Sequence, residues 1–169
     1  MVKISNTFDF DTVEWRRVTD PEETAYKIDF EFSLLGYDIP SGRLDMLLRY
    51  ADGRGHCRRH RHVASTMTMV LEGEQHLTEL QPDGSSKYIL RKKGDYALAN
   101  PDALPHAESG GDEGGTVLLS MYAPDGVLFE YFDENMENPW TLTIEDYVKA
   151  WETGGVYGAK PGSFAASAA

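Results

Sequence analysis

The chain has 169 residues, of which 41% are hydrophobic and 26% are charged. This composition is ordinary for one globular domain, and it excludes collagen-like, coiled-coil and wholly disordered chains. The net charge of −12 disfavours binding to nucleic acid or to an anionic membrane surface.

The first part of the chain predicts an arm followed by a run of short strands. Residues 1–25 are predicted to form an N-terminal arm, and residues 26–132 a barrel. Residues 27–32 alternate between polar and apolar side chains with a period of two, as in a half-buried strand. Further strands are predicted over residues 43–50, 57–63, 66–71, 75–80, 87–91, 96–99 and 116–122. Short strands separated by glycine-containing turns favour an all-β sandwich or barrel.

The periodicity becomes helical after residue 132. Thr143 is predicted to cap a helix, with Asp146 three residues further on as its capping-box partner. An apolar stripe follows, and Gly154 and Gly155 are predicted to end the helix. Residues 133–157 are therefore predicted to form a helical segment packed on the barrel, and residues 158–169 a flexible tail.

Three of the five histidines point to a metal site. His60 and His62 are two residues apart in a predicted strand, so their side chains share one face and could bind one metal ion. His106 follows the predicted turn over residues 100–105 and is the best candidate for a third ligand. A lone His-x-His pair is common by chance, and a pair of surface histidines is the alternative.

The sequence around these histidines resembles the two motifs of the cupin superfamily. The first motif has a glycine, then His-x-His, a glutamate and a later glycine. Here Gly53 or Gly55 precedes His60 and His62, and Gly73 follows them. The resemblance extends over about residues 26–125. It implies a single-domain double-stranded β-helix, or jelly-roll barrel, to which the short C-terminal helix is added.

The second motif has a glycine, a proline, a small residue and a histidine. Here these are Gly94, Pro101, Ala103 and His106, with one extra residue after Gly94 and with Ala103 in place of the usual second glycine.

The resemblance also implies the composition of the metal site. The glutamate ligand of the family falls at Thr66 or Met67 here, so the implied ligands are His60, His62 and His106. Within the superfamily the chain is similar to the three-histidine group that contains acetylacetone-cleaving and 2,4′-dihydroxyacetophenone dioxygenases. The cupin domain of ChrR-type anti-sigma factors is also similar. One divalent metal per chain is expected, with Fe(II) favoured and Zn, Ni or Mn also compatible.

Strand parity predicts the neighbours of the histidines. If His60 and His62 face inward, Arg58 does so too, and Cys57 packs on the other side. Arg58 could then bind an anionic oxygen of a substrate. The equally weighted alternative is an ion pair with an inward-facing acid.

Two glutamates are candidates to support the ligands or to handle protons. If Glu72 and Gly73 form a two-residue hairpin loop, Thr66 lies opposite Glu79. Glu108 shares a face with His106 if that strand is regular. A solvated carboxylate is the alternative for both glutamates, and the same parity turns His76 away from the site.

The pocket itself is predicted to be apolar and suited to a small organic ligand. Its candidate lining residues are Thr66, Met67 and Tyr96, although a place in the core is the alternative for each apolar side chain.

Together these features favour a metal-dependent enzyme, with Fe(II)-dependent cleavage of a carbon–carbon bond by O₂ as the leading activity. The expected substrate is a small dicarbonyl or hydroxyketone. The alternatives are a non-catalytic module that binds a small molecule or zinc, and a metal-dependent isomerase, lyase or hydrolase. We also expect a homodimer. The single cysteine and the absence of a signal-peptide pattern at the start favour a cytoplasmic location.

Overall fold

The computed structural model describes residues 12–20, 27–133 and 135–154. Within these ranges the chain is mostly β-sheet, with one short helix near its C-terminal end. In chain order the elements are β1 (Arg16–Asp20), β2 (Ile28–Asp38), β3 (Arg43–Tyr50), β4 (His60–His62), β5 (Ser65–Leu80), β6 (Ser86–Lys92), β7 (Tyr96–Ala99), β8 (His106–Tyr122), β9 (Val127–Tyr131), β10 (Trp140–Thr143) and α1 (Ile144–Thr153).

Two long antiparallel strands, β5 and β8, hold the fold together. The first half of β5 pairs with the second half of β8, and the second half of β5 pairs with the first half of β8. Strands β3 and β7 flank one end of this pair, whereas β4 and β6 flank the other. The sheet therefore curls around an interior to which both ends of the β5–β8 pair contribute.

The core is built by alternating side chains on the inner face of this curled sheet. Phe32 on β2, Met46 on β3 and Met121 on β8 are completely buried. Helix α1 covers one side of the sheet through Tyr147, whose ring meets that of Phe32 edge-on at a centroid distance of 5.5 Å. The histidines of β4 and β8 lie at a more polar end of the same interior.

The predicted helix and its caps are confirmed. Thr143 accepts a hydrogen bond from the backbone nitrogen of Asp146 at 3.2 Å, and the Asp146 carboxylate accepts one from the Thr143 nitrogen at 2.9 Å. Gly154 ends the helix with a φ of 68°, a left-handed conformation that glycine adopts without strain. None of the helices in the described ranges is both long and apolar enough to cross a membrane.

The predicted hairpin at Glu72 and Gly73 is wrong. These residues lie inside β5, which runs through them without a turn. The register with β8 shifts on either side of Gly73, which has a φ of 62° and lies opposite Gly115. A side chain at position 73 would lie 2.6 Å from the carbonyl oxygen of Gly114. The glycine therefore lets a long strand bend and stay paired, rather than reverse its direction.

Other strands depart from the prediction mainly at their ends. Strand β8 begins at His106 rather than at residue 116, and residues 57–59 lie outside any strand. Strands β9 and β10 were not predicted. Part of the predicted N-terminal arm forms β1, which pairs with β2. Residues 1–11, 21–25 and the predicted tail over 158–169 lie outside the described residues, and the proposed segment boundaries stay predictions.

An ion pair between Arg17 on β1 and Asp29 on β2 connects these two strands. The buried carboxylate of Asp29 accepts hydrogen bonds from Nε and Nη2 of Arg17, both at 3.0 Å, and Nζ of Lys27 lies 2.9 Å away. The Arg17 hydrogen bond, aided by Lys27, lowers the pKa of Asp29 below its usual 3.8 despite the opposing effect of burial.

We expect Asp29→Asn to lower the free energy of unfolding by about 1–2 kcal/mol at pH 7. Because the pKa of Asp29 is lower in the folded state, its contribution is complete above the unfolded value and is lost as the pH falls through the folded value. Urea unfolding of both proteins at neutral and acidic pH measures this. An equal difference at both pH values would contradict the role of the carboxylate charge.

Candidate metal centre

Three histidines from two strands converge in the interior. His60 and His62 lie on β4, and His60 is paired in register with His106 at the start of β8. All three are buried, and each offers a ring nitrogen within 4.8 Å of those of the other two. The structure thus brings together the three residues singled out in the sequence.

The hydrogen bonds of two rings select the nitrogen that is free to bind a metal. Nδ1 of His60 donates to the Arg58 carbonyl at 2.6 Å, and Nδ1 of His106 donates to the Leu104 carbonyl at 3.2 Å. This leaves Nε2 of both rings as a lone-pair donor, the usual arrangement of metal-binding histidines.

Within this cluster of three histidines, two buried ring nitrogens also lack any hydrogen-bond partner among the described residues. These are Nδ1 of His62 and Nε2 of His106. Buried polar atoms without a partner are rare because their desolvation is not compensated. A divalent cation held by the three imidazoles would compensate Nε2 of His106, so the donor set fits a metal.

The lowered pKa values of His62 and His106 are also compatible with metal binding. Burial lowers the pKa of His62 well below its ordinary value, and the neighbouring His106 and His60 lower it further. Burial, with a further contribution from His60, lowers the pKa of His106 to about 4. Both rings are therefore neutral at pH 7, as a metal ligand must be.

Aromatic side chains of β9 form one wall of the site. Phe129 is paired in register with His62 and Tyr131 with His60. The Phe129 ring meets those of His60 and His62 edge-on, at centroid distances of 5.3 and 5.0 Å. These contacts restrict the orientations of both imidazoles.

Glu108 lies beside the histidines, in agreement with the prediction that it shares a face of its strand with His106. Its Oε1 is 3.8 Å from Nε2 of His60 and its Oε2 is 3.9 Å from Nε2 of His106, distances too long for hydrogen bonds. Burial alone would raise the pKa of Glu108, but the two histidines and hydrogen bonds from Tyr50 and Cys57 outweigh it. The pKa is lowered, so the buried carboxylate is ionised at neutral pH.

The predicted orientation of the Cys57 side chain is wrong. The chain bends at Arg59 before β4 begins, so the alternation of β4 does not extend backwards. The Cys57 side chain turns inward and donates a hydrogen bond to Glu108. The buried guanidinium of Arg58 forms an ion pair with Asp20 at the end of β1. The structure therefore favours the ion-pair alternative for Arg58 over substrate binding.

Two of the three predicted pocket residues lie on the outer face of the sheet. Thr66 faces inward and is fully buried, with Oγ1 donating to the Ala64 carbonyl at 3.1 Å. Met67 and Tyr96 have the opposite parity, and Tyr96 is 59% exposed. The structure therefore places Met67 and Tyr96 on the face opposite Thr66, and their role in a pocket stays a prediction.

Glu79 is near the site, but not for the reason predicted. Because β5 does not fold back on itself, Thr66 pairs with Met121, and Glu79 pairs with His106. Glu79 is half-buried there and accepts a hydrogen bond from Gln81 at 2.9 Å. His76 faces outward, as predicted, and donates to Glu74 at 3.0 Å.

Three further polar residues of the interior were not singled out in the sequence. Gln75 is buried on β5, and its Nε2 donates to Glu108 at 2.9 Å and to the Tyr50 hydroxyl at 3.1 Å. Its Oε1 accepts a hydrogen bond from Nη1 of Arg91 at 3.0 Å. Only the register between β5 and β6 places Arg91 on the inner face, and no sequence pattern marks that register.

Comparison with known proteins gives structural neighbours only. No family model matches the chain, and no curated protein matches its sequence. An acetylacetone dioxygenase from Acinetobacter johnsonii has a TM-score of 0.64 at 12% identity, over 90% of this chain and 93% of that one. A candidate acetylacetone dioxygenase from Methylibium petroleiphilum PM1 has a TM-score of 0.62 at 16% identity, over 89% and 97%. A mutant oxalate decarboxylase from Bacillus subtilis has a TM-score of 0.52 at 17% identity, over 92% and 39%.

These likenesses show the fold. The chain has the all-β cupin fold with a short C-terminal helix, as predicted, and it resembles acetylacetone dioxygenase in architecture. The three histidines expected from the cupin motifs are together in the interior of that fold.

Proposed function

We propose that the chain is a metal-dependent enzyme, an Fe(II) dioxygenase that cleaves a carbon–carbon bond in a small dicarbonyl or hydroxyketone. The observation that carries the proposal is the convergence of three buried histidines, two of them with unpartnered ring nitrogens. Three neutral ligands on one side of a cation leave coordination positions free for substrate and dioxygen. Both acetylacetone dioxygenase neighbours support this choice of reaction.

In this proposal His60, His62 and His106 hold the metal. A bound Fe(II) would supply Lewis acidity toward the substrate oxygens and electrons for reaction with O₂. Zn, Ni or Mn would fit the same imidazoles, and Fe(II) is favoured because the proposed reaction needs a redox-active ion.

Glu108 is the proposed acid–base residue. Its carboxylate is ionised, buried and within 4 Å of two ligand nitrogens. It can accept the proton that a dicarbonyl loses from the carbon between its two carbonyl groups. Tyr50 and Gln75 orient this carboxylate by hydrogen bonds. Glu79, opposite His106 on β5, is proposed to support that ligand.

Oxygen uptake tests the proposal. The protein is reconstituted with Fe(II) under anaerobic conditions and mixed with 2,4-pentanedione or a 2-hydroxyacetophenone in an oxygen-electrode cell. We expect one O₂ consumed per substrate, with cleavage into two fragments that together contain both oxygen atoms of O₂. The Zn-loaded protein and Fe-treated His62→Ala protein are the controls, and neither is expected to consume O₂.

The alternatives give different results in the same experiment. Product formed without O₂ would indicate a metal-dependent isomerase, lyase or hydrolase, for which ionised Glu108 is a suitable proton carrier. Ligand binding without any product would indicate a non-catalytic binding module. Either result would overturn the dioxygenase proposal.

A homodimer and a cytoplasmic location are also proposals. Large apolar side chains on the outer face of the sheet support the dimer: Tyr96, Leu98 and Tyr122 are 59%, 60% and 47% exposed. Light scattering is expected to give twice the chain mass of 18.9 kDa, and a monomer would contradict the dimer. The cytoplasmic location is supported by the single cysteine, which is buried and forms no disulfide bond within the described residues.

A further inference from the structure

Arg91 brings a positive charge to the inner face of the sheet. It is paired in register with Gln75 across β5 and β6, so the two side chains share a face. The hydrogen bond from Nη1 of Arg91 to Oε1 of Gln75 shows that the guanidinium turns toward the interior. Gln75 also donates to Glu108 at 2.9 Å, so one side chain connects the Arg91 guanidinium to the carboxylate beside the histidines.

Most of the hydrogen-bonding capacity of Arg91 is not used within the described part of the chain. A guanidinium has five N–H donors, and one of those of Arg91 is engaged, with Gln75. The other arginines near the site are committed elsewhere: Arg58 pairs with Asp20, and Arg61 pairs with Glu130 and Asp102. Arg91 is therefore the arginine of this region that retains donors for a ligand.

The charges of the site indicate what that ligand carries. Three neutral histidines, a divalent cation and the Glu108 carboxylate leave one positive charge, to which Arg91 adds a second. A dicarbonyl bound as its enolate would neutralise one of the two. A ligand with both an enolate and a carboxylate would neutralise both charges. Its carboxylate could also accept two parallel hydrogen bonds from the planar guanidinium.

We propose that Arg91 binds a carboxylate of the substrate, so that the substrate class is a dicarbonyl or hydroxyketone that also carries a carboxylate group. This inference rests on the proposed function, because it assumes that the two carbonyl oxygens face a metal held by the three histidines. It assigns to Arg91 the anion-binding role that the sequence suggested for Arg58.

The hydrogen bonds of Gln75 connect this anion site with the proposed base. The Gln75 amide accepts from Arg91 at one end and donates to Glu108 at the other. A carboxylate that fixes the guanidinium would therefore also fix the orientation of Gln75 and, through it, that of Glu108. Arg91 acts in this way as a substrate-binding residue that also positions the base.

A matched pair of ligands tests the inference. Zn-loaded protein, which does not react with O₂, is titrated calorimetrically with 2,4-pentanedione and with 2,4-dioxopentanoate, which adds a carboxylate to the same diketone. We expect wild-type protein to bind the carboxylate-bearing ligand about 10- to 100-fold more tightly, as for one charge-assisted hydrogen-bonded pair. Arg91→Met is expected to remove this preference while still binding 2,4-pentanedione and one metal per chain.

Two variants control for indirect effects. Arg91→Lys keeps the charge but not the paired donors, and it is expected to retain part of the preference and to report on the site if Arg91→Met does not fold. Arg54→Met removes an exposed arginine that pairs with Asp112, and it is expected to leave the preference unchanged.

Each other outcome has a distinct meaning. A preference that persists in Arg91→Met would show that the carboxylate binds elsewhere, for example on the metal, and would overturn the inference. Equal binding of both ligands by wild-type protein would overturn it too, while leaving the dicarbonyl site in place. Binding of neither ligand would overturn both this inference and the proposed substrate class.

Discussion

Alanine at position 60, 62 or 106 is expected to abolish metal binding. Purified wild-type protein should contain about one divalent metal per chain, and each variant should bind at least 100-fold more weakly, a loss of about 3 kcal/mol. The reason is that two remaining imidazoles make a poor site, while the third position becomes a cavity rather than a ligand. Metal analysis after dialysis against a defined free-metal concentration measures this.

The outward-facing histidine provides the control. His76 has the same chemistry but contacts Glu74 and Tyr88 on the opposite face of β5, so His76→Ala should keep its metal. A metal bound only to the native state also raises the melting temperature by mass action. That rise should occur in wild-type and His76→Ala protein and vanish in the three ligand variants. Near-normal metal content in all three would contradict the assigned site.

Loss of the Arg58 charge is expected to destabilise the fold rather than weaken ligand binding. The Arg58–Asp20 pair is buried, with side chains 6% and 13% exposed, and Arg58→Met removes the cation of this pair. We expect the free energy of unfolding to fall by about 2–4 kcal/mol, since breaking a buried ion pair is costly. Urea unfolding gives this value, and the metal content of the folded fraction should stay at that of the wild type.

A double-mutant cycle separates the pair from other contacts. Asp20→Asn should also destabilise, and the combined variant should be more stable than the sum of the two single effects predicts. The Arg54–Asp112 pair is exposed on both sides, so Arg54→Met should cost less than 1 kcal/mol. If Arg58→Met is as stable as wild type but binds ligands more weakly, the original assignment of Arg58 to substrate binding would be restored.

The sequence predicts well those features that depend on neighbours along the chain. The capping box of Thr143 and Asp146 and the shared face of His60 and His62 are set within a few residues, and both are found. The cupin motifs added His106 because they relate segments that are distant in sequence. The overall all-β fold and the cluster of three histidines could be predicted in this way.

The features that could not be predicted from the sequence depend on where strands bend and on which residues of neighbouring strands pair. Glycine at position 73 is compatible with a tight turn or with a bend in a long strand, and only the partner strand β8 decides between them. The bend at Arg59 directs the Cys57 side chain toward Glu108, and no proline or glycine marks this bend in the sequence. The contacts of Gln75 and Arg91 follow from the register of β5 and β6, which is a property of the whole sheet.

The long pairing of β5 with β8 affects the order in which parts of the protein fold. The ligands on β4 and β8 come together only when distant segments of the chain have paired, and such long-range pairing forms slowly. The metal site is therefore expected to be absent from the folding transition state and complete only in the native protein. Added metal should then leave the refolding rate unchanged and slow unfolding, so that the bound ion prolongs the lifetime of the folded chain.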